Sequence, residues 1–136
     1  MLRKLRIRVL VMSEAEAYIE MCETALTDFE KGKDADQSVR ALYNRLYYAC
    51  FYAAKAALLS EGIDSGSHAG VADRVFTVLH KEKDLVSKEK AAALSKVQTK
   101  RDLSDYELEI NESKEDLQNL EQDAKSFIEE MIRIAS

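Results

Sequence analysis

The chain has no proline and no tryptophan, and only four glycines among its 136 residues: Gly32, Gly62, Gly66 and Gly70. Three of the four share one short stretch, so no periodic segment is interrupted, and long helices joined by a few loops are expected. There is no strand alternation, no internal repeat and no low-complexity tract. No apolar run approaches the ~20 residues that a membrane-spanning helix needs; no membrane contact is expected, and a cytoplasmic location is. Cys22 and Cys50 both fall on apolar stripes without a CxxC pairing, and read as small buried thiols in a reducing compartment. Two histidines and two cysteines are too few for a zinc site. A di-iron bundle needs Glu three residues before His, where this chain has Ser65 and Thr77. No P-loop, GxGxxG or GxSxG occurs. The expectation is therefore no metal and no other cofactor.

Charged residues make up 33% and apolar residues 46% of the chain, the balance of an amphipathic bundle. The net charge of −5 is unevenly spread. Residues 1–12 carry Arg3, Lys4, Arg6 and Arg8 with no acid, whereas residues 102–136 carry eleven acids against Lys114, Lys125 and Arg133. An acidic C-terminal third disfavours wrapping a long nucleic-acid backbone, which rests on clustered Lys and Arg, but leaves room for one nucleotide or an RNA end. Residues 1–12 interleave charge with apolar residues, unlike a signal peptide. Ser13-Glu-Ala-Glu16 is a capping box directly after Met12, so 1–12 reads as a loose arm or a start-site artefact, with 13–136 as a single helical domain.

Periodicity predicts five helices. The first spans about 13–31, with Ala15, Tyr18, Ile19, Cys22, Leu26 and Phe29 inward and Gly32 ending it. The second runs from Asp34 or Asp36 to about 61, where Gly62 stops it. A short third spans 68–81, with Val71, Val75 and Leu79 on one side. Ser87 opens a fourth to about 110, and Ser113 with Asp116 caps a fifth to about 134. The fifth has its stripe at Leu117, Leu120, Ala124, Phe127, Met131 and Ile134, and its acids read as a solvated face. The expected fold is all-α: an up-and-down antiparallel bundle of four main helices and one short one.

The second helix has two apolar stripes. Val39, Leu42, Leu46, Ala49, Ala53 and Ala57 form one; Ala41, Arg45, Tyr48, Tyr52, Ala56 and Leu59 form the other. A helix apolar on two sides belongs at the centre of a bundle or between subunits, so a homodimer is expected and Arg45 is expected to be enclosed. The fourth helix breaks its own stripe: Leu94, Val97, Arg101, Asp105 (or Ser104), Leu108. Charges there cost several kcal/mol unless paired. Arg101, Asp105 and Tyr106 are thus expected to meet Arg45, Tyr48 and Tyr52 in one cleft. Two readings stay open: salt bridges that fix helix register in a ligand-free scaffold, or a pocket for a base and its phosphate. His68, after Gly66-Ser67, reads as a capping or hydrogen-bonding residue, and His80 as exposed and silent.

Three separated segments carry a resemblance. Asn44-Arg45 through Leu59, Gly62 through Phe76 with His68 and Gly70, and Arg101-Asp-Leu-Ser-Asp105-Tyr106 are together similar to the HEPN domain, and most to its small stand-alone, UPF0332-like prokaryotic branch. The resemblance covers about 13–134. It implies a helical bundle, commonly a homodimer, often acting with a minimal nucleotidyltransferase as a toxin–antitoxin pair, and a nucleotide or RNA as ligand. Catalytic members are metal-independent ribonucleases with an Arg followed four to six residues later by His. Arg101 fits the arginine, but Asp105, Tyr106 and Glu107 stand where the histidine belongs. The imidazole acid/base is missing, so a non-enzymatic binding module is expected ahead of a ribonuclease. The ribonuclease candidates are Arg101 and Asp105, with His68 only if the fold brings it beside Arg101.

Overall fold

A computed structural model describes residues 13–64, 66–106 and 114–136. Four helices start where a serine hydroxyl can accept an otherwise unpaired amide of the first turn. Ser13 accepts from Glu16 N–H at 3.0 Å and opens α1, Glu14–Asp34. Ser38 accepts from Ala41 N–H at 3.2 Å and opens α2, Val39–Ser60. Ser67 does the same for Gly70 at 3.2 Å, opening α3, His68–Arg74, which continues as a π-helical segment, Val75–Glu82. Ser87 caps α4, Lys88–Ala91; a turn at Ala92 precedes α5, Ala93–Tyr106, and α6 is Lys114–Ala135. The arm 1–12, the Ser113 cap, the Glu107 and Leu108 end of the fourth predicted helix and the Tyr106 side chain lie outside the described residues.

The chain folds as an all-α bundle, with α2 as the central helix packed against α1, α5, α6, α3 and the π-helical segment. Its first stripe behaves as the periodicity predicts: Leu42, Leu46, Ala49, Ala53 and Ala57 are buried. They meet Cys22 and Phe29 of α1, Val71, Val75 and Leu79, Leu94 and Val97 of α5, and Leu120, Ala124, Phe127 and Met131 of α6. Each large apolar side chain buried this way stabilises the fold by about 1.5–3 kcal/mol. Both thiols are buried, and burial pushes Cys22 up to about 12 and raises Cys50 as well, so neither is a reactive thiolate. No helix among the described residues is long and apolar enough to cross a membrane.

Several predicted features differ. Gly32 does not end α1; it is buried inside it, and a Cβ there would stand 2.6 Å from Gln37 Oε1 and 3.1 Å from Leu42 Cδ2. Glycine serves close approach here, and the chain turns later, at Asp36 with φ 56°. The third helix changes pitch at Val75, and Lys83 N–H donates to the Val78 carbonyl five residues back at 2.9 Å. His80 is not free: its Nδ1 lies 2.9 Å from the Val86 carbonyl and its ring packs on Phe76. The acids of α6 are not all solvated either. Glu121, with its side chain 15% exposed, receives Lys33 at 3.0 Å and Lys125 at 2.8 Å, and the same two lysines reach Glu30 at 3.1 and 2.7 Å. The Lys125 hydrogen bond leads in holding Glu30 below the usual carboxylate range. Burial alone would lower Lys33, but its two carboxylate partners outweigh that and leave it raised.

Candidate functional site

The second buried arc of α2 is not the one predicted. Tyr43, Tyr47, Cys50, Phe51, Ala54 and Leu58 are buried, while of the expected stripe only Ala56 is; Ala41, Tyr48, Tyr52 and Leu59 are half-covered and Arg45 is exposed. The expectation that Arg45 is enclosed is therefore corrected. Tyr47 stands two residues on from Arg45, about 200° around a helix, so the packing that buries one turns the other outward.

Arg101 of α5 lies on the Tyr47 face. Its guanidinium carbon is 4.3 Å from the Tyr47 ring centroid, a cation–π placement. Nη2 and Nε donate to Asp102 Oδ1 at 3.0 and 3.2 Å, and Asp105 Oδ2 stands 4.0 Å from Nε. The inward position one turn on belongs to Ser104, which is buried and donates to the Arg101 carbonyl at 2.7 Å, whereas Asp105 is exposed. Arg40 Nε donates to the Ser104 carbonyl at 2.6 Å and ties this end of α5 to the start of α2.

The loop after Gly62 delivers His68 to the same ring. Ser67 is the cap of α3, and His68 instead stacks on Phe51, centroids 4.1 Å apart and planes 10° off parallel. Its Nδ1 is 3.4 Å from the Tyr47 hydroxyl, and Tyr48 meets both rings edge-on. Phe51 covers one side of the imidazole, and His68 as a whole is exposed among the described residues. Burial raises the Tyr47 phenol above its usual range and the Arg101 cation only partly offsets this, so the hydroxyl stays neutral at physiological pH.

Arg45, Tyr48 and Tyr52 line a different feature: an open groove of about 720 Å³ against Glu20, Met21 and Asp28 of α1. Tyr52 packs on Tyr48 at 5.8 Å and on Tyr18 at 6.0 Å. Arg45 makes no hydrogen bond or ion pair among the described residues. The two arginines thus address different faces of α2 and do not share one notch. Arg101 and Asp105 adjoin each other, and His68 reaches the hydroxyl of the tyrosine that Arg101 covers. Arg45 and Tyr52 stand apart from them, and Tyr48 touches both His68 and Tyr52. Tyr47 and Phe51, the residues on which the site is built, were not singled out by periodicity. The spacing Tyr43, Tyr47, Cys50, Ala54, Leu58 is the signal that marks them.

Compared with protein-family models, the chain matches the HEPN domain over residues 12–134. No curated protein matches it. A match over nearly the whole chain agrees with the helical bundle described above, and the chain belongs to the HEPN domain family.

Proposed function

We propose that this HEPN protein is a cytoplasmic, homodimeric binding module, not an enzyme, that holds a nucleotide or an unpaired RNA base on the Tyr47–His68–Arg101 face. The observation that carries the reading is the Arg101 guanidinium laid on the Tyr47 ring beside an exposed imidazole backed by Phe51. Flat cationic and aromatic surfaces suit stacking with a base. Arg45, Tyr48 and Tyr52 in the α1–α2 groove suit docking of a partner protein, and a minimal nucleotidyltransferase in a toxin–antitoxin-type pair is the partner the UPF0332-like resemblance suggests. The homodimer rests on the family likeness, whose members commonly dimerise. Calorimetry of the full chain against ATP, other nucleotides, short single-stranded RNA and such a nucleotidyltransferase tests the reading. Micromolar binding that Arg101→Met weakens supports it; silence in every titration refutes it. Sedimentation at micromolar concentration giving one chain mass refutes the dimer.

One observation favours a second reading, a metal-independent ribonuclease: Arg101 and His68 contact the same Tyr47 ring. The 2′-oxygen would attack the adjacent phosphorus and the P–O5′ bond would break. The 2′ proton would pass to His68, a water proton to the departing 5′ oxygen, and the imidazolium would return its proton to the hydroxide formed. Arg101 would stabilise the phosphorane charge. Cleavage in the presence of chelator that disappears in both Arg101→Ala and His68→Ala supports this reading, and RNA left intact after prolonged incubation excludes it.

A further inference from the structure

The Tyr47 face carries acid to match its base. Arg40 and Arg101 stand against Asp102 and Asp105, and the Arg101 guanidinium is already engaged by Asp102 through two hydrogen bonds. An incoming phosphate would have to displace that carboxylate and then sit beside it and Asp105. Acceptors, by contrast, are in surplus. Both bonds from Arg101 fall on Asp102 Oδ1, and Asp105 at 4.0 Å is beyond hydrogen-bond reach of Nε. Both carboxylates are 45% exposed. At the hydroxyl of the same phenol, the exposed His68 imidazole offers a flat surface held in place by Phe51.

We infer that this face reads an unpaired nucleobase by its amino edge, with His68 as the stacking platform and Asp102 and Asp105 as acceptors, and that it takes guanine in preference to uracil. The inference rests on the base-binding reading above and adds which base and which residues. Guanine presents N1–H and N2–H side by side, a pair that the two oxygens of one carboxylate accept together. Uracil presents one N–H between two carbonyls, which a carboxylate repels. With the local charge balanced, binding depends on stacking and edge contacts more than on counterion release, so its salt dependence is shallow.

The test is fluorescence anisotropy of the full chain with short oligouridines carrying one central guanosine, inosine or uridine. The guanosine oligomer is expected to bind roughly tenfold tighter than the uridine one, with inosine between them because it lacks the N2 amino group. Asp102→Asn and, separately, Asp105→Asn are expected to narrow the gap between guanosine and uridine, circular dichroism verifying that each variant is folded. Equal affinity for all three oligomers overturns the inference while leaving the base-binding reading standing; no binding to any overturns both. Tighter binding of all three by both Asn variants also overturns it, because the carboxylates would then only exclude phosphate.

Discussion

On the α5 side of α2, the Arg101 guanidinium lies on a buried tyrosine ring with two carboxylates beside it; on the α1 side, Arg45 projects into an open groove without a partner among the described residues. The difference is one of prior order. A long side chain gives up about 1.5–2 kcal/mol of rotamer freedom when it is fixed. Arg101 has met that cost on folding, so a ligand on the Tyr47 face finds its cation already placed. Arg45 would be ordered only on contact, which suits a docking surface better than a small-molecule site.

The largest test of this contrast is stability. Tyr47 is buried, so Tyr47→Ala is expected to cost about 3–4 kcal/mol in urea denaturation, whereas half-covered Tyr52→Ala should cost about 1 kcal/mol. Equal losses would erase the distinction between the two faces. Next comes ligand binding: Arg101→Met should weaken a titration with single-stranded RNA roughly tenfold, as expected for a lost stacking surface worth about 1–3 kcal/mol, and Arg45→Met should weaken partner capture instead. The reverse pattern would exchange the roles of the two faces. Third, Ser67→Ala removes the cap that starts α3 and should cost about 1 kcal/mol, and it should weaken RNA binding by loosening His68 from Phe51. Stability lost without any change in binding would detach His68 from the site.

The smallest effect belongs to acid. Glu30 is held below its ordinary value by Lys125 first, and Glu130 by Arg133 first. A carboxyl depressed in the folded state favours folding above its unfolded value and loses that contribution as pH falls through its folded value. Stability is therefore expected to be level from neutral pH down to about 5 and to decline below 4.5. Both carboxylates keep contact with solvent, at 46% and 24% side-chain exposure, so the decline is modest for each pair. Thermal denaturation across that range, repeated with Glu30→Gln, tests it; an unchanged decline in the variant would rule out the Glu30 contacts as its source.

The first stripe of α2, the stripe of α6, the caps at Ser13 and Ser87 and the buried cysteines were legible because each depends on spacing within one segment. The site was legible only in part. Arg101 was marked by a charge sitting on an apolar stripe, a local signal. Which neighbour of the Tyr47–Tyr48 pair would be buried was not, since adjacent residues on a wide apolar arc are separated only by where α1 and α5 cross. The meeting of His68 with Phe51 depends on the path of the loop after Gly62, which no periodicity reports. Arg45 misled because a long polar side chain at a stripe's edge can leave for solvent at little cost.

Gly32 has a consequence beyond the close approach it permits. A larger residue there would meet the ends of the Gln37 and Leu42 side chains, which would have to shift aside. Those helices are also the walls that Arg45 and Met21 share. Beside Asp28 at one end of that groove, a single hydrogen stands where a methyl would crowd the side chains that join the two walls.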